Sequence, residues 1–349
     1  MKKTIMLLLI FLCSANAALG IRVTSLYQGS VPAKSQSEPE RNRLASQALA
    51  QVLVKVSGNN DTLNNPQIKT YLGKARDLMQ EFSYVPTTHL PGETTPYLLQ
   101  LNFDPEAINK ILRDTSVPIW GQNRPLLIIW LDYEIPGHPA EMIGADSGGN
   151  ISSMLKFSAE RRGVPVIFPA LDVEDLGQIA VNDIISTNIP KLMAAAKRYE
   201  SDAILIGRIT QDSGKYNTQW KLVLGNDQWG WNITGNTLPD IFTAMTDHVG
   251  TALAGRFATV VANTVQSSFI VKIIHVPEAG DFVEVMNYIK HLTPVADVQL
   301  EQVSGDAIIL RISLRGTKES FEKALIVEKK LTLMTGEGNQ SEFIYQWNH

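Results

Sequence analysis

The sequence predicts a mixed α+β and α/β protein of three small units. Two units of strand-helix-strand-strand-helix order flank a mixed-sheet α/β unit. Three observations lead there. Ala203, Ile204, Leu205 and Ile206 form an unbroken apolar run just after an alanine-rich helical stretch. A strand apolar on both faces is usually central in a sheet covered on both sides. The same order of elements is readable in residues 21–115 and again in 268–335. Between the first and second units, Pro118, Gly121 and Asn123 punctuate a stretch, 117–124, that reads as a linker. A length of 349 residues fits two or three domains.

In chain order, the first segment is a leader. Lys2 and Lys3 precede the apolar run Ile5 to Leu12, and Ala15 and Ala17 flank Asn16 in the A-x-A pattern of a secretory cleavage site. Residues 1–17 are expected to be a signal peptide cleaved after Ala17. The run is too short to stay behind as a membrane anchor. Cys13, the only cysteine, lies inside it, and Leu12 stands where a lipoprotein signal has a small residue. The mature chain is therefore expected to carry no disulfide, no thiolate nucleophile and no cysteine-bound metal. Cleavage removes two lysines and no acid, leaving 29 of the 31 basic side chains against 35 acidic ones, a formal charge of −6. That balance argues against a nucleic-acid binder, which needs a basic face. No later stretch is long and apolar enough to span a membrane. The expected location is the periplasm, with secretion beyond the outer membrane as the alternative.

The N-terminal unit, 18–116, opens with a strand over Arg22 to Val31 that Pro32 ends. Helix Arg41 to Val56 follows, with Leu44, Ala45, Ala48, Leu49, Val52, Leu53 and Val56 on one face and Gly58 at its end. Asn59 to Pro66 reads as a polar loop. Phe82 to Val85 and Tyr97 to Phe103 read as strands, and Pro105 opens a helix over Glu106 to Arg113.

The central unit, 124–263, begins with the apolar strand Leu126 to Leu131. A glycine-rich loop containing Ser147 leads to helix Ile151 to Arg162, strand Val164 to Phe168, a turn at Leu171 to Leu176, helix Ile189 to Tyr199 and the Ala203 strand. Strands alternating with helices suggest parallel pairing. Alternation at Trp220, Leu222 and Leu224, then at Trp229, Trp231 and Ile233, predicts an antiparallel hairpin turning at Gly225 to Gln228. Helix Asp240 to Phe257 closes the unit.

The C-terminal unit, 268–335, comprises strand Phe269 to Val276, a helix marked by Phe282, Val285, Met286 and Ile289, strands Val295 to Val303 and Ile308 to Leu314, and helix Ser320 to Leu331. In the tail, 336–349, alternating Phe343, Tyr345 and Trp347 suggest a final edge strand.

Few constellations suggest chemistry. Asp172, Glu174 and Asp175 follow a strand and are the sharpest acidic cluster. Three carboxylates can hold a hard divalent cation or serve as acid and base. They also suit a helix start, where acids satisfy free N–H groups. Six histidines are scattered, without zinc-helix spacing. There is no nucleophile elbow, phosphate loop or dinucleotide fingerprint, so no catalytic residue and no cofactor is expected. Trp220, Trp229 and Trp231 either stack a sugar or peptide or form the core face of the hairpin. Arg198 and Arg208 flank the central strand, for anion binding or for pairing with Glu200 or Asp202. Trp229, Trp231 and Arg208 are the candidate partner-binding residues.

Three blocks, ERNRLASQALAQVLVKVSG, RRGVPVIFPALDVEDL and AAKRYESDAILIGRI, stand in that order. Together they resemble the bacterial family called domain of unknown function 2066 (DUF2066). The resemblance implies an exported proteobacterial protein with no established activity. The central unit is also distantly similar to the N-terminal domain of TolB and the middle domain of the flagellar protein FlgT. The N-terminal unit is similar in element order to the N-terminal domain of FlgT. These likenesses imply envelope assembly or scaffolding and leave the C-terminal unit unexplained. The expected function is a non-enzymatic periplasmic binding or scaffolding factor, its partner an envelope protein or a peptidoglycan-associated component. The alternatives are a divalent-metal-dependent hydrolase using Asp172, Glu174 and Asp175, or a secreted factor.

Overall fold

The computed structural model describes residues 21–88, 94–146, 150–328, 330–334 and 343–348. The expected leader and Ser147 lie outside them. Within these residues the chain is a mixed α/β protein with eleven α-helices and several sheets.

The first sheet is antiparallel, with Tyr97–Phe103 between Gln28–Ala33 and Met79–Pro86. Helix Glu38–Ser57 packs on it, burying Leu44, Ala48, Leu49, Val52 and Leu53 against Leu99, Leu101 and Phe103. Local chemistry sets its ends. The Ser37 side chain accepts the Glu40 N–H, and Gly58 takes a left-handed conformation at φ 74°. A Cβ at Gly29 would lie 2.5 Å from the Ala48 carbonyl oxygen, so helix and strand touch backbone to backbone.

Two expectations fail here. The single strand over Arg22 to Val31 is two pieces. Ile21–Arg22 pairs with Asn123–Arg124, and Gln28–Ala33 continues through Pro32, which an edge strand tolerates because its N–H side is unpaired. The loop after Gly58 holds a 3₁₀ turn, Asn60–Asn64, and two short helices, Pro66–Leu72 and Ala75–Leu78.

The second sheet runs in the order Asp227–Gly235, Lys215–Leu224, Ala203–Asp212, Leu127–Glu134, Glu141–Ile143, with Val166–Ile167 paired to the start of Leu127–Glu134. Ala203–Asp212 and Leu127–Glu134 are parallel, and the hairpin is antiparallel. Ala203 and Leu205 face a core built with helices Ile151–Arg162 and Leu238–Phe257. Ile204 and Ile206 face the opposite side, under helices Val181–Ile185 and Ile189–Ala196. The expected turn at Leu171 to Leu176 is largely helix Val173–Gln178, and the strand over Val164 to Phe168 shrinks to Val166–Ile167.

The third sheet is ordered Val295–Ser304, Ala307–Leu314, Ser267–Ile274, Phe343–Trp347, Leu331–Leu333. The tail strand is thus interior rather than an edge. It pairs parallel with Ser267–Ile274 and antiparallel with Leu331–Leu333, and Tyr345 and Trp347 are buried in the core.

The stretch read as a linker is not a solvated connection. Trp120 and Arg124 are fully buried, and Ile119 bridges to Thr259. Arg124 donates to the carbonyls of Gly121, Gly163, Lys55 and Trp120 and stacks on the Trp120 ring at 3.9 Å.

Candidate functional site

Side chains alternate between the faces of a strand, so register decides which of them stand side by side. In the central sheet Asp132 is opposite Arg208, Arg208 opposite Gln219, and Gln219 opposite Asn232. These four polar residues make one row across four strands. The next row on the same face is Glu134, Thr210, Asn217 and Thr234. Both rows lie at the carboxyl end of the parallel pair, where ligands bind in open α/β sheets. The short helices cover the apolar half of this face, and the polar half continues beyond them.

Exposure grades along the row. Asp132 is fully buried, Arg208 half-buried, and Gln219 and Asn232 exposed. Arg208 Nη2 donates to Glu134 Oε2 at 3.0 Å, and its Nε lies 3.8 Å from Asp132 Oδ2. Neither Asp132 oxygen has a hydrogen-bond partner among the described residues. Burial pushes the Asp132 carboxyl up to about 7; Arg208 opposes the rise and Glu134 adds to it. The Trp130 indole N–H, on the same strand face, is also buried without a partner among the described residues.

Two adjoining depressions of about 280 and 360 Å³ open over these rows and share Arg208, Gln219 and Asn232. Ile184, Ile185 and Thr187 form the wall of the first, and Thr210, Asn217 and Thr234 line the second. The polar lining consists of carboxamides, hydroxyls, the Arg208 guanidinium paired with Glu134, and the Lys221 ammonium in the first depression.

The expected partner-binding residues are not gathered in one place. Arg208 sits at the centre of the polar face. Trp229 and Trp231 point to the opposite face, packed against the main core, where Trp231 stacks on His248 at 5.6 Å. The core reading of the hairpin tryptophans is the one the geometry supports. Among the described residues Arg208 pairs with Asp132 and Glu134, and Arg198 with Asp172 and Asp175, acids on other strands and helices than the expected Glu200 and Asp202.

Asp172, Glu174 and Asp175 surround the Arg198 guanidinium. Arg198 donates from both terminal nitrogens to Asp172 at 2.8 and 2.9 Å, and to Asp175 at 2.9 Å; Glu174 lies 3.6 Å away. Asp172 also accepts the N–H groups of Glu174 and Asp175, capping helix Val173–Gln178. Its hydrogen bond from Arg198 holds the Asp172 carboxyl well below the usual range. Asp175 is buried and accepts from the Leu171 N–H and the Tyr199 hydroxyl. No group of three metal-ligating side chains occurs among the described residues. The sequence did not single out Asp132, Gln219 and Asn232. Their only local signal was polar residues alternating with tryptophan and apolar residues.

Comparison with known proteins gives limited identity. The model of a domain of unknown function, DUF8605, matches residues 21–121. That finding overturns the resemblance to DUF2066. No curated protein matches the chain. Among solved structures, the LpoB C-terminal domain from Salmonella enterica is 13% identical, covers 32% of this chain and 83% of its own, and has a TM-score of 0.23. TolB from Acinetobacter baumannii is 12% identical, covers 45% of this chain and 33% of its own, at a TM-score of 0.24. At those scores neither likeness bears on fold or function. Among the described residues, no helix is long and apolar enough to cross a membrane.

Proposed function

We propose that the protein is a non-catalytic binding component of the bacterial cell envelope, exported to the periplasm, whose ligand face is the polar half of the central sheet. The chain is divided into units 18–116, 124–263 and 268–335, and the middle one presents that face. The observation that carries this reading is the row Asp132, Arg208, Gln219 and Asn232, set by register across four strands. Its side chains are suited to recognition. Carboxamides offer donor and acceptor together, and Arg208 is already neutralised by Glu134. The depressions above it are lined by neither histidine nor cysteine. The leader motif supports export.

The test is site-specific photocross-linking in living cells. A photoreactive residue at Gln219 is expected to trap an envelope component, and one at Thr251, exposed on the far helix, is expected to trap nothing. Equal capture from both positions, or none from Gln219, would overturn the proposal. Recovery of the protein from culture medium alone would replace periplasmic residence with secretion.

A further inference from the structure

We infer that the free edge of the central sheet, strand Asp227–Gly235, pairs antiparallel with the same strand of a second copy of this chain, joining two sheets into one across a two-fold axis beside Trp231. The pairing does not depend on what the polar face binds. Among the described residues no strand lies beyond Asp227–Gly235. Its register with Lys215–Leu224 runs through nine consecutive pairs without a bulge. It holds no proline, and its one charged side chain, Asp227, stands at its start, paired with Arg256 at 3.0 Å. The other edges of the larger sheets carry features that discourage pairing. Gln28–Ala33 contains Pro32, and Met79–Pro86 has a register shift and ends in proline. Val295–Ser304 has two shifts and the charges Asp297 and Glu301, while Glu141–Ile143 and Leu331–Leu333 are three residues long.

Hydrogen-bond alternation decides which backbone groups are free. The two-residue turn Gly225-Asn226 joins Leu224 to Asp227, and such a turn closes on a hydrogen-bonded pair. Pairs then alternate along the hairpin. Asp227, Trp229, Trp231, Ile233 and Gly235 turn their N–H and C=O groups toward Lys215–Leu224, and Gln228, Gly230, Asn232 and Thr234 turn theirs outward. A second copy rotated about an axis beside Trp231 presents the same outward set. Gln228 then meets Thr234, Gly230 meets Asn232, and all nine residues pair.

The side chains fit this register. Trp229, Trp231 and Ile233 are only half-buried against the core at this edge. The pairing sets Trp231 beside its own counterpart and Trp229 beside Ile233, the aromatic and β-branched pairs that stabilise sheets. Gly230 does not take a left-handed conformation, and a Cβ there would find only the Trp220 carbonyl oxygen, at 3.7 Å. Nothing inside the chain calls for glycine there; close approach of another backbone is a reason for it. Lys221, opposite Gly230, has no acid partner among the described residues. In the pair it looks across Gly230 to Asn232 of the second copy, two interstrand steps or about 10 Å away. The carboxamide oxygen there is an acceptor for its ammonium.

The experiment is analytical ultracentrifugation of the full chain at tens of micromolar. The wild type is expected to form a reversible dimer. Gln228→Lys combined with Thr234→Lys, both at exposed positions, places lysine opposite lysine twice and should weaken association about tenfold or more. Gln228→Glu combined with Thr234→Glu should do the same. An equimolar mixture of the two double variants should dimerise again, because each lysine then meets a glutamate. A misfolded variant would not show that rescue, and the circular dichroism of each is expected to match the wild type. A monomeric wild type overturns the proposal, and so does a dimer that neither double variant weakens. A mixture that stays monomeric overturns it as well.

Discussion

Arg124 Nη2 donates to the carbonyl oxygen of Lys55 at 2.6 Å. That bond ties the stretch expected to be a linker to the end of helix Glu38–Ser57. The last carbonyls of a helix have no intrahelical partner and carry the negative end of its dipole. Here Arg124 takes Lys55 and the Trp120 N–H takes Val56, while Arg162 donates to Gly58 just past the helix and to Val54, which also accepts the Gly58 N–H; Arg162 is paired to Asp247 at 2.9 Å as well. The first sheet's helix is thereby fixed to the helices of the central sheet.

Arg124→Met should be costly. It leaves the carbonyls of Lys55, Gly121, Gly163 and Trp120 without this donor in a buried place. The expected loss is about 3–5 kcal/mol of unfolding free energy by urea titration, by analogy with broken buried charge networks. Arg124→Lys should recover little, because one ammonium cannot reproduce the planar fork.

Lys55 predicts a pH dependence. Its Nζ donates to the carbonyls of Ser25 and Gln28, and burial, then the nearby Arg124 charge, lowers its pKa to about 7. Between about 7 and the ordinary lysine value the unfolded chain binds more protons. Stability should therefore rise with pH across that window, by at most about 1.4 kcal/mol per pH unit. Subtracting the stability profile of Lys55→Met from that of the wild type should reveal this slope. A flat difference would contradict it.

Asp132 gives the opposite sign. Its folded pKa is raised to about 7, so the folded state holds the proton more tightly than the unfolded one. Its contribution is intact at pH below the ordinary aspartate range and is lost as pH rises through about 7. Asp132→Asn should melt higher than wild type at pH 8, by about 1–3 kcal/mol in stability, and lose most of that advantage by pH 5. Thermal melts at the two pH values decide it.

Gly29→Ala should lift helix Glu38–Ser57 off the first sheet. The added methyl would meet the carbonyl oxygen, carbonyl carbon and Cα of Ala48, all backbone atoms within 2.9 Å. No rotamer can relieve that contact. A destabilisation of about 1–3 kcal/mol or more is expected in a denaturant titration, with helix and strand forced apart.

The tail strand can be tested in the same way. Trp347 is buried against the third core, and its ring lies 5.8 Å from that of Tyr288. Trp347→Ala should cost about 3–5 kcal/mol. A change under about 0.5 kcal/mol would mean that the last strand contributes nothing.

Much of the local structure was legible. The apolar face of helix Glu38–Ser57 and its stop at Gly58 follow from spacing and from glycine's left-handed freedom. The two-sided burial of Ala203 to Ile206 follows from composition alone, since no residue in that run tolerates water on either face. The candidate site was only partly legible. Arg208 stood out as a charge beside an apolar strand, but Asp132 looked like the polar end of another one. The tryptophans drew attention because of their size, and size is what fills a core.

Sequence by itself determined where strands and helices form and which side of each is greasy, because these are set by neighbours within one or two turns. Only the tertiary structure decided that Arg124 is buried, that Phe343–Trp347 lies inside its sheet, and that Asp132, Arg208, Gln219 and Asn232 share a row. Strand order and register join residues far apart in the chain, and periodicity names the face of a side chain but never its partner on the next strand.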